Sequence, residues 1–296
     1  MVIRNPFPTV LPSFVQNFQK RRSSSSFLTG NIAADRHLFI ILTLLEIVSS
    51  SEGTPVTLVL SSLLVAAALL VFSLYPDAQL AARSLSAVTA FMALSAAVSS
   101  LRALMARKVI YDPLLGAGSL YAAAGFALAA VGWALDAAAL DWPVGPITSS
   151  KLAWYSSGLI LILALWELST SARIAAGGLE KVEKLVALAV PIAYASALAA
   201  IAFAHGAPLL RLAEIAISAT YLGLSLSALL PIRRKRYSWG LTLLTIGSAV
   251  FLSAVALVPL AGIAVPSPLP NALYALAFAF AATGLSVYRK EKIVLK

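Results

Sequence analysis

The segment Pro231-Ile232-Arg233-Arg234-Lys235-Arg236 is a basic stretch that separates two long apolar runs. In a chain that crosses a membrane repeatedly, loops rich in Lys and Arg stay on the cytoplasmic side. Insertion disfavours carrying these charges across the bilayer. Once this segment is placed in the cytoplasm, the predicted sidedness of every other loop follows from alternation. The sequence therefore predicts a membrane protein of defined orientation.

The composition supports the same class of protein. Hydrophobic residues make up 60% of the chain and charged residues 11%, and the mean hydropathy is +0.90. These values exclude an ordinary soluble domain. We predict an all-α, polytopic helical bundle over residues 55–288, with about eight helices that each cross roughly 30 Å of hydrocarbon. The predicted spans are 55–75, 79–101, 115–135, 152–171, 185–204, 208–230, 239–262 and 271–288.

The two ends of the chain are predicted to be cytoplasmic. Residues 1–36 form a polar, basic arm that we expect to be partly disordered, and residues 289–296 form a basic tail. Residues 37–50 contain an apolar run that is too short to span, which indicates an interfacial or re-entrant helix. If this run spans after all, the amino terminus moves outside. The expected location is the cell membrane, with multiple passes.

The net charge of +10 is explained by topology. Of the 22 Lys and Arg residues, all but Arg83, Lys151 and Arg211 fall in predicted cytoplasmic segments. Such loops also attract the anionic head groups of membrane lipids, which are the lipid partners that we expect at the inner loops. No aromatic or polar readers are interleaved with the charges, so a nucleic-acid partner is not expected.

Small residues recur every seven positions in two of the predicted spans. This spacing places them on one seam of a helix, where a neighbouring helix can approach closely. Two four-helix halves, 55–171 and 185–288, are one interpretation, and coincidence in alanine-rich helices is the other. The recurring residues are Gly118, Gly125 and Gly132 in one span, and Gly240, Gly247 and Ala254 in the other.

Ionisable residues near the predicted outer face form the first candidate site. Arg211 and Glu214 lie three residues apart and share a helix face, while Arg83 lies near the outer end of its span. Asp136 and His205 fall in or beside outer turns. Together they predict a binding site for an anionic or quinone-like small molecule. The alternative is a set of side chains that reach toward water, with one local ion pair.

Neutral polar residues at mid-membrane form the second candidate. Tyr194, Tyr221 and Thr245 lie on the predicted spans 185–204, 208–230 and 239–262, and could line a polar cavity between them. Pro191 removes a backbone donor one turn before Tyr194, so a kink is expected there. The alternative is that these hydroxyls bond within their own helix or to a neighbouring one.

Catalytic and cofactor motifs are not found. The chain has no cysteine and two histidines, His37 and His205, which the predicted topology places at opposite ends of the bundle. This excludes disulfides and thiolate ligands, and a bis-histidine haem is not expected. The segment Gly116-Ala117-Gly118-Ser119 resembles an intramembrane serine protease motif, but His205 is predicted at the other face of the membrane. We expect no metal, no cofactor and no enzymatic activity.

Two functions fit these observations. The first is a non-catalytic, membrane-embedded subunit or anchor of a larger complex, which contacts quinone or lipid at its outer face and binds partner subunits. Eight helices in two bundles without haem ligands are similar in architecture to the quinol-dehydrogenase anchor subunits of the polysulfide-reductase type, by fold-level analogy. The alternative is a permease that transports a small molecule through a site between the spans 185–204, 208–230 and 239–262.

Overall fold

Helices dominate the computed structural model of this chain. Seven helices in its described part are long and apolar enough to cross a membrane, which confirms the all-α membrane class. The predicted arm 1–36, the short helix 37–50 and the eighth predicted span, 55–75, lie outside the described residues, as does the tail from residue 291. The described residues are 78–104, 112–145, 147–206, 209–235, 237–261 and 268–290.

The seven helices agree with seven of the predicted spans to within five residues at each end. The helix that begins at Trp239 gives way to a 3-10 turn at Val258–Leu260, where Pro259 has no amide hydrogen to donate to the preceding turn. The helices are α1 Ala78–Leu104, α2 Pro113–Ala137, α3 Ser149–Ala176, α4 Lys181–Ala204, α5 Leu209–Lys235, α6 Trp239–Leu257 and α7 Leu269–Lys290.

Local sequence signals set the helix ends. Asp112 caps α2, since its Oδ1 accepts hydrogen bonds from the Leu114 and Leu115 amides at 3.1 Å. Glu180 and Glu183 form a reciprocal capping box at the start of α4. Gly177 ends α3 in the left-handed region, with a φ of 82° that glycine adopts without strain. The tight turn that follows reverses the chain into α4.

Consecutive helices are joined by short connections and so alternate in direction. We call the two ends of the bundle the Arg234 end and the Asp141 end. At the first, Arg234 forms an ion pair with Glu180 and donates to the Gly178 carbonyl at 3.2 Å. At the second, β1 Pro143–Val144 and β2 Ile147–Thr148 form a small antiparallel hairpin between α2 and α3.

Six of the described helices close into a ring. Each helix packs against the next in the order α1, α2, α3, α5, α6 and α7, and α7 returns to α1. α4 lies outside the ring against α5, with a smaller contact to α6. In the most apolar 18-residue stretch of α4, only 17% is buried inside the protein. In the corresponding stretches of the other six helices, 39–61% is buried. The centre of the described bundle is therefore the interior of a six-helix ring.

The seven-residue glycine pattern marks two equivalent seams of this ring. A Cβ at Gly125 of α2 would lie 2.7 Å from Leu161 Cγ of α3, and a Cβ at Gly240 of α6 would lie 2.5 Å from Tyr288 Cβ of α7. Real Cβ atoms do not approach other atoms so closely, so a larger residue at either glycine would require its neighbour to move. The prediction of closely packed glycine seams is confirmed.

Candidate functional site

Aromatic side chains fill the ring in its Asp141 half. The ring centres of Trp154 and Trp133 are 4.8 Å apart, and those of Trp133 and Tyr274 are 5.2 Å apart. The series continues from Tyr274 to Phe251 at 5.2 Å and from Phe251 to Phe278 at 5.9 Å. We call these five residues the aromatic column. Its members come from α2, α3, α6 and α7, so it ties four ring helices together.

A cavity of about 90 Å³ follows the aromatic column toward the Arg234 end. Every ring helix contributes to its wall, and the wall is almost entirely apolar. Small side chains on α2, α3, α6 and α7 leave the space open, since the ring is too wide at this level for them to fill it. The lining residues include Ala103, Leu115, Gly118, Ser119, Ala122, Phe126, Leu161, Ala164, Leu168, Tyr221, Gly247, Ser248, Ala277, Ala281 and Tyr288.

The polar atoms of the cavity wall are mostly engaged by the protein. Tyr221 donates its hydroxyl to the Gly158 carbonyl at 2.8 Å, and Ser248 bonds to the Leu244 carbonyl at 3.0 Å. Ser119 is buried and lines the cavity, yet its hydroxyl makes no hydrogen bond to another residue in the part of the chain that the structure describes. Ser119 is therefore the hydroxyl that remains for a ligand.

The three residues predicted to line a mid-membrane site take different positions. Tyr221 lines the central cavity from α5. Tyr194 lies on the peripheral α4, and its hydroxyl is 2.5 Å from the Ser253 hydroxyl. Thr245 bonds to the Leu241 carbonyl of its own helix at 2.9 Å. The structure therefore brings only Tyr221 to the cavity, and the cavity lies inside the ring rather than beside α4.

Part of the predicted outer-face cluster does assemble. Arg211 and Glu214 form an ion pair on α5, and Tyr155 of α3 donates to Glu214 Oε1 at 2.8 Å. This network links α3 to α5 at the Asp141 end. The sequence does not predict this contact of Tyr155, because its partner lies 59 residues further along the chain and no motif links the two positions.

The other members of the predicted cluster bind elsewhere. Ser86 of α1 donates to the Asp136 carboxylate of α2. His205 is exposed, and its Nδ1 lies 2.9 Å from the Ile201 carbonyl. Arg83 is exposed and forms no ion pair with a described carboxylate. Among the described residues, no hydrogen bond or ion pair joins these three to Arg211 and Glu214.

Asp141 holds the hairpin at the same end. Its carboxylate accepts from the Ser150 amide, the Ser149 hydroxyl and the Ser150 hydroxyl, each at 2.9 Å. The Ser150 amide contributes most to stabilising the charged form, and the pKa of Asp141 falls from 3.8 to about 2. The adjoining side chains of Leu140 and Trp142 project into the surroundings, 60% and 55% exposed.

Within the described ranges, no group of three or more His, Asp or Glu side chains is arranged to hold a metal ion. The geometry instead offers an apolar cavity in which the Ser119 hydroxyl is not engaged by any other described residue. Comparison of the chain with protein-family models, curated proteins and solved structures finds no match.

Proposed function

We propose that this integral membrane protein binds a small apolar molecule of quinone type in its central cavity, and acts as a non-catalytic, membrane-embedded subunit or anchor of a larger complex. The observation that carries the proposal is the cavity inside the six-helix ring. Its apolar wall and the hydroxyl of Ser119 match an apolar ring that carries a hydrogen-bond acceptor. Because a cavity of about 90 Å³ holds only part of a ring, the rest of the ligand would lie between the ring helices.

Filling this cavity with apolar atoms would stabilise the protein. Protein interiors are close-packed, and a void of about 90 Å³ costs on the order of 2 kcal/mol in lost contacts. An apolar molecule restores those contacts, and its binding does not carry the cost of removing a charged group from water. The same space suits an ion poorly, because the wall offers few polar groups to replace the ion's hydration shell.

The route of entry follows from the shape of the ring. The aromatic column closes the cavity toward the Asp141 end, whereas Ala103, Leu115 and Tyr288 line its part nearest the Arg234 end. A ligand would therefore enter between helices from the half of the membrane at the Arg234 end. This differs from the outer-face contact that the sequence suggested.

The hairpin at the Asp141 end supports the subunit role. Leu140, Trp142 and Val144 are exposed beyond the ends of α2 and α3, and Asp141 holds them in a defined conformation. Exposed apolar side chains on a fixed hairpin suit a partner subunit. The competing role is an interfacial anchor, since tryptophan favours the depth of the lipid head groups. A Trp142→Ser variant that co-purifies with fewer partner subunits would favour the partner role.

Cavity filling tests the ligand site. Ala122 faces the cavity, while Ala124 on the same helix is exposed, so Ala122→Leu and Ala124→Leu form a matched pair. We expect decylubiquinone to raise the melting temperature of the wild type and of Ala124→Leu, and to bind Ala122→Leu at least about tenfold more weakly. Equal binding to both variants would contradict the site.

Ser119→Ala tests the nature of the ligand. If the hydroxyl donates to a quinone carbonyl, its loss should weaken decylubiquinone binding about fivefold, as expected for one hydrogen bond. Binding of oleate, which places only a hydrocarbon chain in the cavity, should not change. A cavity that takes oleate but not decylubiquinone would be a lipid-chain site and would overturn the quinone assignment.

A permease is the second candidate, and the observation that favours it is a cavity that all six ring helices line, from Ala103 and Tyr288 near the Arg234 end to Phe251 in α6. Because the chain has no cysteine, a Ser119→Cys variant carries a single thiol. Labelling of this thiol by a membrane-impermeant maleimide from both sides of the membrane would favour transport. Labelling from neither side, together with decylubiquinone binding, would favour the subunit.

A further inference from the structure

We propose that a groove between α3 and α4 at the Arg234 end binds the phosphate of an anionic phospholipid. The groove measures about 410 Å³ and is separate from the central cavity, so the inference does not depend on the function proposed for the ring. Its walls are formed by Thr170, Arg173, Ile174, Gly177, Gly178, Leu179 and Lys184.

The groove exists because α3 and α4 diverge from their shared turn. Gly177 and Gly178 both have positive φ values, 82° and 93°, and reverse the chain sharply. Beyond this turn, α4 packs on α5 and α6, while α3 packs on α2 and α5. The two helices therefore flank α5 instead of covering one another, and the space above their turn stays open.

Two cations face this groove without a carboxylate partner. Arg173 donates to the Thr170 hydroxyl at 2.9 Å and to the Ser169 carbonyl at 3.3 Å, and its guanidinium lies 5.7 Å from the centre of the Trp166 ring. These contacts fix the guanidinium but leave its Nη1 without an acceptor in the described part of the chain. Lys184 also forms no ion pair there.

The nearby acids are held away from the groove. Glu180 and Glu183, at the start of α4, both pair with Arg234 of α5. Arg234 draws both carboxylates toward α5, and neither lies within 4.0 Å of a nitrogen of Arg173 or Lys184, so these two cations stay available to an anion. A phosphate group supplies the missing anion and can accept from both side chains and from the Thr170 hydroxyl.

The surface beside the groove identifies the phosphate as that of a lipid. Leu163 and Trp166 lie about two to three turns before Arg173 on the same side of α3, and they are 50% and 54% exposed. Their positions continue the groove toward the middle of the membrane as an apolar strip. A phospholipid places its phosphate between the cations and an acyl chain along this strip, whereas a free phosphate ion leaves the strip unused.

The test compares two double variants with the same change in charge. Arg173→Gln with Lys184→Gln removes the groove cations, and Lys181→Gln with Arg233→Gln removes exposed cations at the same end that do not line the groove. We expect the wild type and the control to retain dioleoylphosphatidylglycerol over dioleoylphosphatidylcholine in native mass spectrometry. The groove variant should retain about tenfold less of the anionic lipid.

Further arms separate the lipid from free phosphate. Phosphatidylglycerol with brominated chains should quench the emission of Trp166, assigned by difference from Trp166→Phe, and inorganic phosphate at equal concentration should not displace it. Displacement by inorganic phosphate would make the groove a free-phosphate site and overturn the proposal. Equal loss of lipid in both double variants would also overturn the proposal, since it would show that the general positive charge at the Arg234 end, and not the groove, retains the lipid. Unchanged melting temperatures would show that the variants remain folded.

Discussion

Single glycines decide how closely the ring helices pack. At Gly240 an added Cβ would meet the backbone nitrogen of Tyr288 at 2.5 Å, whereas at Gly125 it would meet the flexible side chain of Leu161. The hydrogen-bonded backbone of a helix has little room to move, but a leucine side chain can change rotamer. The two positions therefore look alike in the sequence and differ in what they tolerate.

We expect Gly240→Ala to destabilise the protein by about 1–3 kcal/mol, the usual cost of overpacking, and Gly125→Ala to cost less. The measurement is the thermal unfolding of each purified variant in the same detergent. Equal losses at the two positions would show that the α6–α7 seam is looser than the structure indicates.

The Asp141 carboxylate gives the hairpin a dependence on pH. Its folded pKa of about 2 lies below the ordinary 3.8, so its hydrogen bonds stabilise the fold fully above pH 3.8. That contribution is lost as the pH falls from 3.8 toward 2. Because Asp141→Asn removes the charged form, the difference in melting temperature between this variant and the wild type should shrink over that range. A constant difference would contradict the assignment.

At the scale of elements, the contact between α4 and α5 rests on a proline and a glycine. Pro191 has no amide hydrogen, so the Ala187 carbonyl lacks its helical partner. This carbonyl faces Gly223 of α5, where an added Cβ would lie 3.3 Å from its oxygen. The sequence indicated the freed carbonyl, but it did not show that a glycine on the next helix would face it.

We expect Gly223→Leu to displace α4 while the six-helix ring stays closed, since α4 lies outside it. Ala202, fully buried on α4, provides the reporter. In an Ala202→Cys background, maleimide labelling should accelerate with Gly223→Leu. It should stay slow with Thr220→Leu, because Thr220 is exposed. Equal labelling in the two variants would mean that α4 is not held by this contact.

The extent of each helix was predictable, whereas the way the helices pack together was not. Length and hydropathy locate a span because both depend only on the thickness of the bilayer. Lipid and protein interior are equally apolar, however, so the same residue type serves on either side. Ala122 lines the cavity while Ala124 is exposed, and Leu161 faces the interior while Leu163 faces outward. The ring, its cavity and the outlying position of α4 therefore required the structure.

At the scale of the whole molecule, the packing order of the ring repeats. α1, α2 and α3 contact one another in sequence, as do α5, α6 and α7, and the α3–α5 and α7–α1 contacts close the circle. The glycine seams fall at equivalent positions, between α2 and α3 and between α6 and α7. This is the arrangement expected of two related halves with α4 as the first member of the second. A four-plus-four duplication stays a prediction, since residues 55–75 lie outside the described part.

We infer the orientation of the bundle from its charges, and this inference can be tested on the natural cysteine-free background. Lys181 lies at the Arg234 end, and His205 and Val144 lie at the Asp141 end, all exposed. Because basic loops stay in the cytoplasm, a membrane-impermeant maleimide should label His205→Cys and Val144→Cys in intact cells. It should label Lys181→Cys only after lysis. The reverse labelling pattern would show that the protein has the opposite orientation in the membrane. Labelling of Lys181→Cys and His205→Cys from the same side would contradict the assignment of α4 as a membrane-spanning helix.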